Sequence, residues 1–167
     1  MMSRNTILSR SVVVLLGLVA GLAGTAQAAG AADGYGQIRD GFGKCVAVPG
    51  SAPGNGTRLV RTTCNSGAAN QRWLATQVFG RVYTFTSKST GKCIDVNAGS
   101  LDPGAPVQIW TCNGTGAQEW DREFIGLGPE LVFNYRSGLC LDSIGNSLMQ
   151  WTCRDTTDIR AQQWIIG

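Results

Sequence analysis

The sequence contains no histidine. That absence removes Ser-His-Asp and Cys-His nucleophilic schemes. With no Cys-x-x-Cys pair either, a zinc site lacks its usual ligands. Charge is scarce too: Asp, Glu, Lys and Arg make up 15% of the 167 residues, and no run of one sign stands out. Such a chain has no long-range field to draw in nucleic acid or an anionic membrane. Nor does any window sustain the apolar period of a helix. Paired carboxylates remain as a catalytic option. Glu119, Asp121 and Glu123 alternate along one expected strand, but a solvated edge face explains them more simply. The chain reads as a non-enzyme, with no cofactor and no metal.

What is present begins with a leader. Arg4 and Arg10 precede an apolar run over residues 11–22, and small residues end in Ala26-Gln27-Ala28. A positive flank, a short apolar core and an Ala-x-Ala site describe a secretory signal peptide over residues 1–28. The run is shorter than the roughly 20 residues that span a bilayer. Cleavage after Ala28 is expected, giving a secreted, extracellular chain with no membrane span. Residues 29–34 read as a flexible lead-in. Without Arg4 and Arg10 the chain holds 12 basic and 11 acidic residues, a net charge of +1.

Twenty-three glycines and many short apolar runs between turn residues point to an all-β protein. The runs come in three copies, over about residues 35–79, 80–126 and 127–167. Lys92-Cys93-Ile94-Asp95-Val96 leads through Val107-Gln108-Ile109-Trp110-Thr111-Cys112 to Gln118-Glu119-Trp120. A weaker copy runs from Cys45 through Cys64 to Gln71-Arg72-Trp73, and a shortened one from Cys140 through Cys153 to Gln162-Gln163-Trp164. The first cysteines lie 48 and 47 residues apart, and the tryptophans 47 and 44. A period of this length marks units that bury one core together.

Strands are expected at 38–39, 44–48, 58–63 and 73–78, then 82–87, 93–96, 107–111 and 120–125, then 131–135, 139–142, 148–152 and 164–166. A tight turn ending in glycine precedes each cysteine strand, where glycine tolerates a positive φ. Six cysteines in an oxidising compartment imply disulfides, with 15 connectivities in general. If the copies are equivalent, each closes its own pair: Cys45–Cys64, Cys93–Cys112 and Cys140–Cys153.

The three Gln-x-Trp tripeptides, in register with Gly-Lys-Cys-Ile-Asp-Val and Val-Gln-Ile-Trp-Thr-Cys-Asn-Gly, resemble the ricin B-type lectin family. That family includes the carbohydrate-binding module family 13 type of secreted bacterial proteins. The likeness covers residues 35–167. It implies a β-trefoil: a six-stranded barrel capped by three hairpins, with pseudo-threefold symmetry. It also implies a glycan or polysaccharide partner of galactose or xylose type.

In the family, the site is an Asp two residues after the first cysteine, a Gln and an aromatic before the second, and polar residues ahead of the final tryptophan. A carboxylate accepts from paired hydroxyls, and an aromatic ring covers the apolar face of a pyranose. The second copy carries this set as Asp95, Gln108 and Trp110, with Asn113 and Gln118 as supporting polar groups. Gln108 and Trp110 are two apart on a strand and share a face. One departure is Ala117, where many family sites carry Asn. The first copy has Ala47, Val60 and Thr62 at these positions and reads as structural, with Asn70 a turn residue. The third keeps Asp142 and Trp151 as a weaker candidate site. It has Met149 for the Gln, Gln150 on the other face, and a 13-residue cysteine spacing in place of 19. Trp73, Trp120 and Trp164 read as core.

Two further readings stand beside the lectin. With two degenerate copies, the chain suits a non-catalytic subunit or adaptor of a secreted complex or toxin particle, bound to other secreted proteins. An exposed apolar patch on the first copy would favour this. A protease inhibitor, by analogy with another trefoil family, ranks third.

Overall fold

The computed structural model describes residues 33–50, 53–126, 128–155 and 159–167. The expected signal peptide lies outside them, as do residues 29–32 of the lead-in. Among the described residues are fourteen strands and three short 3-10 turns. The first repeat holds β1 (Tyr35–Gly36), β2 (Ile38–Asp40), β3 (Lys44–Ala47), β4 (Thr57–Arg58), β5 (Val60–Thr63) and β6 (Trp73–Phe79). The second holds β7 (Val82–Ser87), β8 (Cys93–Val96), β9 (Val107–Trp110) and β10 (Trp120–Phe124). The third holds β11 (Glu130–Asn134), β12 (Cys140–Ile144), β13 (Ser147–Trp151) and β14 (Gln163–Ile166).

Each repeat folds its cysteine strand back on the next long strand: β3 on β5, β8 on β9 and β12 on β13, all antiparallel. Successive repeats join through the β6–β7 and β10–β11 hairpins, and β14 closes onto β2 at Trp164↔Asp40. This is the β-trefoil that the family resemblance implies. Its turns enter the cysteine strands through Gly43, Gly91 and Gly138 at φ 76°, 67° and 70°. A side chain there would crowd the backbone.

Two local differences have physical causes. The strand expected at 58–63 breaks at Leu59, where the chain changes partner. Thr57 and Arg58 pair with β9 of the second repeat, while Val60 to Thr63 pair with β3 of their own. Leu59 turns fully into the core at the switch. Residues 33 and 34, expected to be a flexible lead-in, are fastened. Asp33 forms ion pairs with Arg72 and Lys88, and β1 follows at once on the edge of β6. The Lys88 ammonium beside it holds the Asp33 carboxyl below its ordinary range.

The core is assembled by equivalent residues. Trp73, Trp120 and Trp164 are 2%, 0% and 0% exposed and pack with Val46, Ile94, Leu141, Val107 and Leu148. Each indole Nε1 donates to a backbone carbonyl of its own cysteine strand: Val46, Ile94 and Leu141, at 3.1, 3.2 and 3.0 Å. The glutamines two residues earlier repeat a second pattern. Gln71, Gln118 and Gln162 each accept from the backbone N–H of the residue after the second cysteine: Asn65, Asn113 and Arg154. Each also donates to the carbonyl just before that cysteine: Thr63, Thr111 and Thr152. Every Gln-x-Trp is thus one staple, with the amide holding the loop and the indole holding the strand. The three disulfides close within their repeats, at Cα separations of 5.0, 5.1 and 5.0 Å.

Candidate functional site

The antiparallel register of the second repeat puts Asp95 directly across from Gln108, and Cys93 across from Trp110. Opposed residues share a face with their Cβ atoms about 5 Å apart. On this hairpin Ile94, Val96, Val107 and Ile109 fill the core, so Asp95, Gln108 and Trp110 face the other way. They line a cavity of about 380 Å³, a size suited to a small polar ligand. Asp95 and Gln108 are buried at its floor, and Trp110 stands 39% exposed at its side. Gly56 of the first repeat lies against the far edge of the Trp110 ring. Asn55 ties that loop to Thr111, accepting from its backbone N–H at 3.0 Å.

Both carboxylate oxygens of Asp95 are aimed by amides. Gln108 Nε2 donates to Oδ1 at 2.9 Å and Gln118 Nε2 to Oδ2 at 3.0 Å. Each oxygen keeps a lone pair for one more donor. Gln118 is fully buried and does not line the cavity, so it fixes the carboxylate from beneath. Asn113 does line it. Its Oδ1 accepts from the backbone N–H and hydroxyl of Thr115, which leaves its amide N–H groups as the donors on that rim. The turn Asn97–Gly99 also lines the cavity, with Ala98 at φ 55°. That left-handed conformation is uncommon outside glycine and is found where surrounding structure enforces it.

The loop that follows this turn is held from the third repeat. Gln150 is fully buried, and its Nε2 donates to the carbonyls of Ser100 and Asp102 at 2.9 and 3.0 Å. Its main chain exchanges bonds with Gly104 and Ala105. The residue one place out of register therefore holds the second-repeat loop. Arg136, also of the third repeat, lines the same cavity. Sequence reasoning missed both roles, because each depends on a contact between repeats that no local motif encodes.

The other two copies differ. In the first, Ala47 faces Val60, and Asn70 Nδ2 donates to the Val48 carbonyl at 2.9 Å, a loop clip. In the third, Asp142 faces Met149, whose side chain has no N–H to offer, and Oδ1 is buried without a hydrogen-bond partner. Its Oδ2 takes Gln162 Nε2 at 2.8 Å and the Arg154 guanidinium at 2.9 Å. Arg154 occupies the chain position of Asn113 and covers the carboxylate. Trp151 is 39% exposed but rests against Gly104, where a Cβ would come within 3.1 Å of the ring. Asp121 of the alternating acidic trio is ion-paired with Arg81 at 3.0 Å.

Burial pushes the carboxyls of Asp95 and Asp142 above the ordinary value of 3.8, against the opposing pull of their amide donors and, at Asp142, of Arg154. A carboxyl raised on folding has its stabilising contribution in full below the unfolded value, and loses it as pH rises through the folded one. The parent should therefore lose stability relative to Asp95→Asn as pH climbs above 3.8. Urea midpoints of the two proteins across that range test this. A gap that widens toward acid pH would contradict it.

A comparison with family profiles matches residues 34–164 to the ricin-type β-trefoil lectin domain. The comparison with curated proteins returns no match. Among solved structures, the designed three-fold symmetric protein ThreeFoil is 26% identical with a TM-score of 0.72, covering 80% of this chain and 98% of its own. The Polyporus squamosus lectin, solved with the human-type influenza-binding epitope Neu5Acα2-6Galβ1-4GlcNAc, is 15% identical with a TM-score of 0.69. That match covers 80% of this chain and 48% of the lectin's. A cytolethal distending toxin chain from Actinobacillus actinomycetemcomitans is 18% identical with a TM-score of 0.66, covering 80% and 90%. These last two show a shared fold.

Proposed function

The chain belongs to the ricin-type β-trefoil lectin domain family, and from that premise we propose that it is a secreted, non-catalytic carbohydrate-binding protein. It recognises galactose- or xylose-type glycans through the second repeat. One observation carries the reading: Asp95, with both oxygens oriented by buried amides, shares a cavity with the exposed Trp110 ring. Two neighbouring sugar hydroxyls donate to the carboxylate, whose charge strengthens each bond. The C–H face of the pyranose lies on Trp110. Asn113 supplies amide donors that a ring or hydroxyl oxygen accepts.

The site is pre-formed, because Gln108, Gln118 and the 97–106 loop are held before any sugar arrives. That lowers the ordering cost of binding. With one open site the monomer binds weakly, and strength comes from several copies acting together.

A glycan array probed with the purified protein, alone and multimerised, tests the reading. The parent should retain galactosides or xylosides. Trp110→Ala should lose them by about tenfold or more, since the stacking platform goes, while keeping the parent's unfolding midpoint. If no glycan is retained even by the multimer, the lectin reading fails.

A second reading, a non-catalytic subunit or adaptor of a secreted complex or toxin particle, is favoured by one surface. Phe79 and Tyr135 are each about half exposed, and their rings meet edge to face at 5.3 Å. Phe79 belongs to the first copy, where an exposed apolar patch would favour this reading, and Tyr135 to the third. The first copy's Phe42 is flanked by the guanidiniums of Arg61 and Arg160.

A further inference from the structure

Arg136 reaches the second-repeat cavity through a channel that glycines keep open. A Cβ on Gly116 would sit 3.1 Å from Arg136 Cβ and 3.2 Å from its Cδ, and one on Gly99 would sit 3.2 Å from its Nη1. The stem of the side chain is therefore laid against two neighbouring turns, Asn97–Gly99 and Gly116–Gln118, that both contribute to the lining of the cavity. The charge it delivers is unspent. Arg61, Arg72, Arg81, Arg122 and Arg154 all form ion pairs, whereas among the described residues the Arg136 guanidinium forms none. Asp95 does not consume it either, since that carboxyl answers to burial and its two amide donors.

Ala117 in the lining offers no hydrogen-bonding side chain, whereas Arg136, Asn113 and Asn97 bring side-chain N–H groups to it, and of these Arg136 alone is charged. A second cation stands on this face. Arg58 on β4 lies directly across from Gln108 and is exposed, with no ion pair among the described residues. A neutral sugar's hydroxyls satisfy the Asp95 carboxylate and can accept from the guanidinium, but they offer its positive charge no counter-charge.

We infer that Arg136 makes this cavity selective for an anionic glycan, binding a carboxylate or sulfate ester carried next to the sugar that Asp95 holds. Guanidinium presents parallel N–H groups that match the paired oxygens of either anion. Arg58 adds long-range attraction on the same face and sets no geometry. The inference rests on the carbohydrate reading of the cavity.

Calorimetric titrations with lactose, 3′-sialyllactose and 3′-sulfolactose test it, with xylotriose beside its glucuronosyl derivative for the xylose branch. The parent should bind an anionic member about tenfold more tightly than its neutral counterpart at low salt, and less so as salt screens the pair. The two lactose derivatives separate carboxylate from sulfate. In Arg136→Gln, which keeps part of the stem between the glycines, the ratio of anionic to neutral affinity should fall toward one. Arg58→Gln should lower the ratio by less. Equal affinity of the parent for neutral and anionic members, or a ratio unchanged in Arg136→Gln, overturns the inference and leaves the carbohydrate reading standing. Failure of the parent to bind any of these sugars overturns both.

Discussion

Trp120→Ala is expected to destabilise the protein by about 3–5 kcal/mol, the range for deleting a large buried ring. The indole is fully buried between the barrel strands and its Nε1 satisfies the Ile94 carbonyl. Truncation therefore leaves both a cavity and an unpaired buried acceptor, and the second adds its own penalty. Domains of this size hold only about 5–15 kcal/mol in all. The variant should consequently be largely unfolded or poorly recovered, although the disulfides still limit its expansion. Trp73→Ala and Trp164→Ala should behave alike, since each indole makes the equivalent bond. Urea titration followed by tryptophan emission measures this. A loss below about 1 kcal/mol would place the ring outside the cooperative core.

That core was legible because its signal is periodic. Three Gln-x-Trp tripeptides in step with three cysteine pairs identify equivalent strands, and an indole repeated at equivalent places in a closed barrel has to point inward. The role of Gln118 was only half legible. Its type and position announced a polar partner for the site, but its complete burial follows from bonds to Asn113 and Thr111 that local pattern does not reveal.

Arg136 and Gln150 were illegible for a different reason. They belong to the third repeat and act on the second, and pairing of residues 48 or 50 apart in sequence, as in the Gln150 bonds, leaves no trace in one chain. The break at Leu59 has the same origin, a change of partner strand. The divergence of the third copy was partly readable. Met149 marks the missing amide, but the capping of Asp142 by Arg154 needed coordinates.

Asp95→Ala is expected to reduce glycan binding about a hundredfold or more. Hydrogen bonds to a charged group are each worth about 1.5–3 kcal/mol, and two hydroxyls lose theirs together. The deletion also frees the Gln108 amide, which no longer has an acceptor across the hairpin. Stability should change little. Removing a carboxylate whose charge is disfavoured by burial relieves a cost, and Gln118 keeps its bond to the Thr111 carbonyl. The double outcome separates this residue from Trp120, whose loss should abolish the fold and, with it, the site. It also sets a pH dependence for binding. Because the Asp95 carboxyl is raised, sugar affinity should decline on acidification before an ordinary aspartate would protonate.

The most direct test is a two-dimensional NMR titration of the parent with lactose and xylotriose, following indole and side-chain amide N–H signals. The five tryptophans divide cleanly: Trp73, Trp120 and Trp164 are buried, and Trp110 and Trp151 are exposed to the same degree. Saturable shifts of the Trp110 indole and the Gln108 and Gln118 amides, with the core indoles still and Asp95→Ala silent, are the expected result. Shifts centred on Trp151, or none with any sugar, would contradict a glycan site in the second repeat.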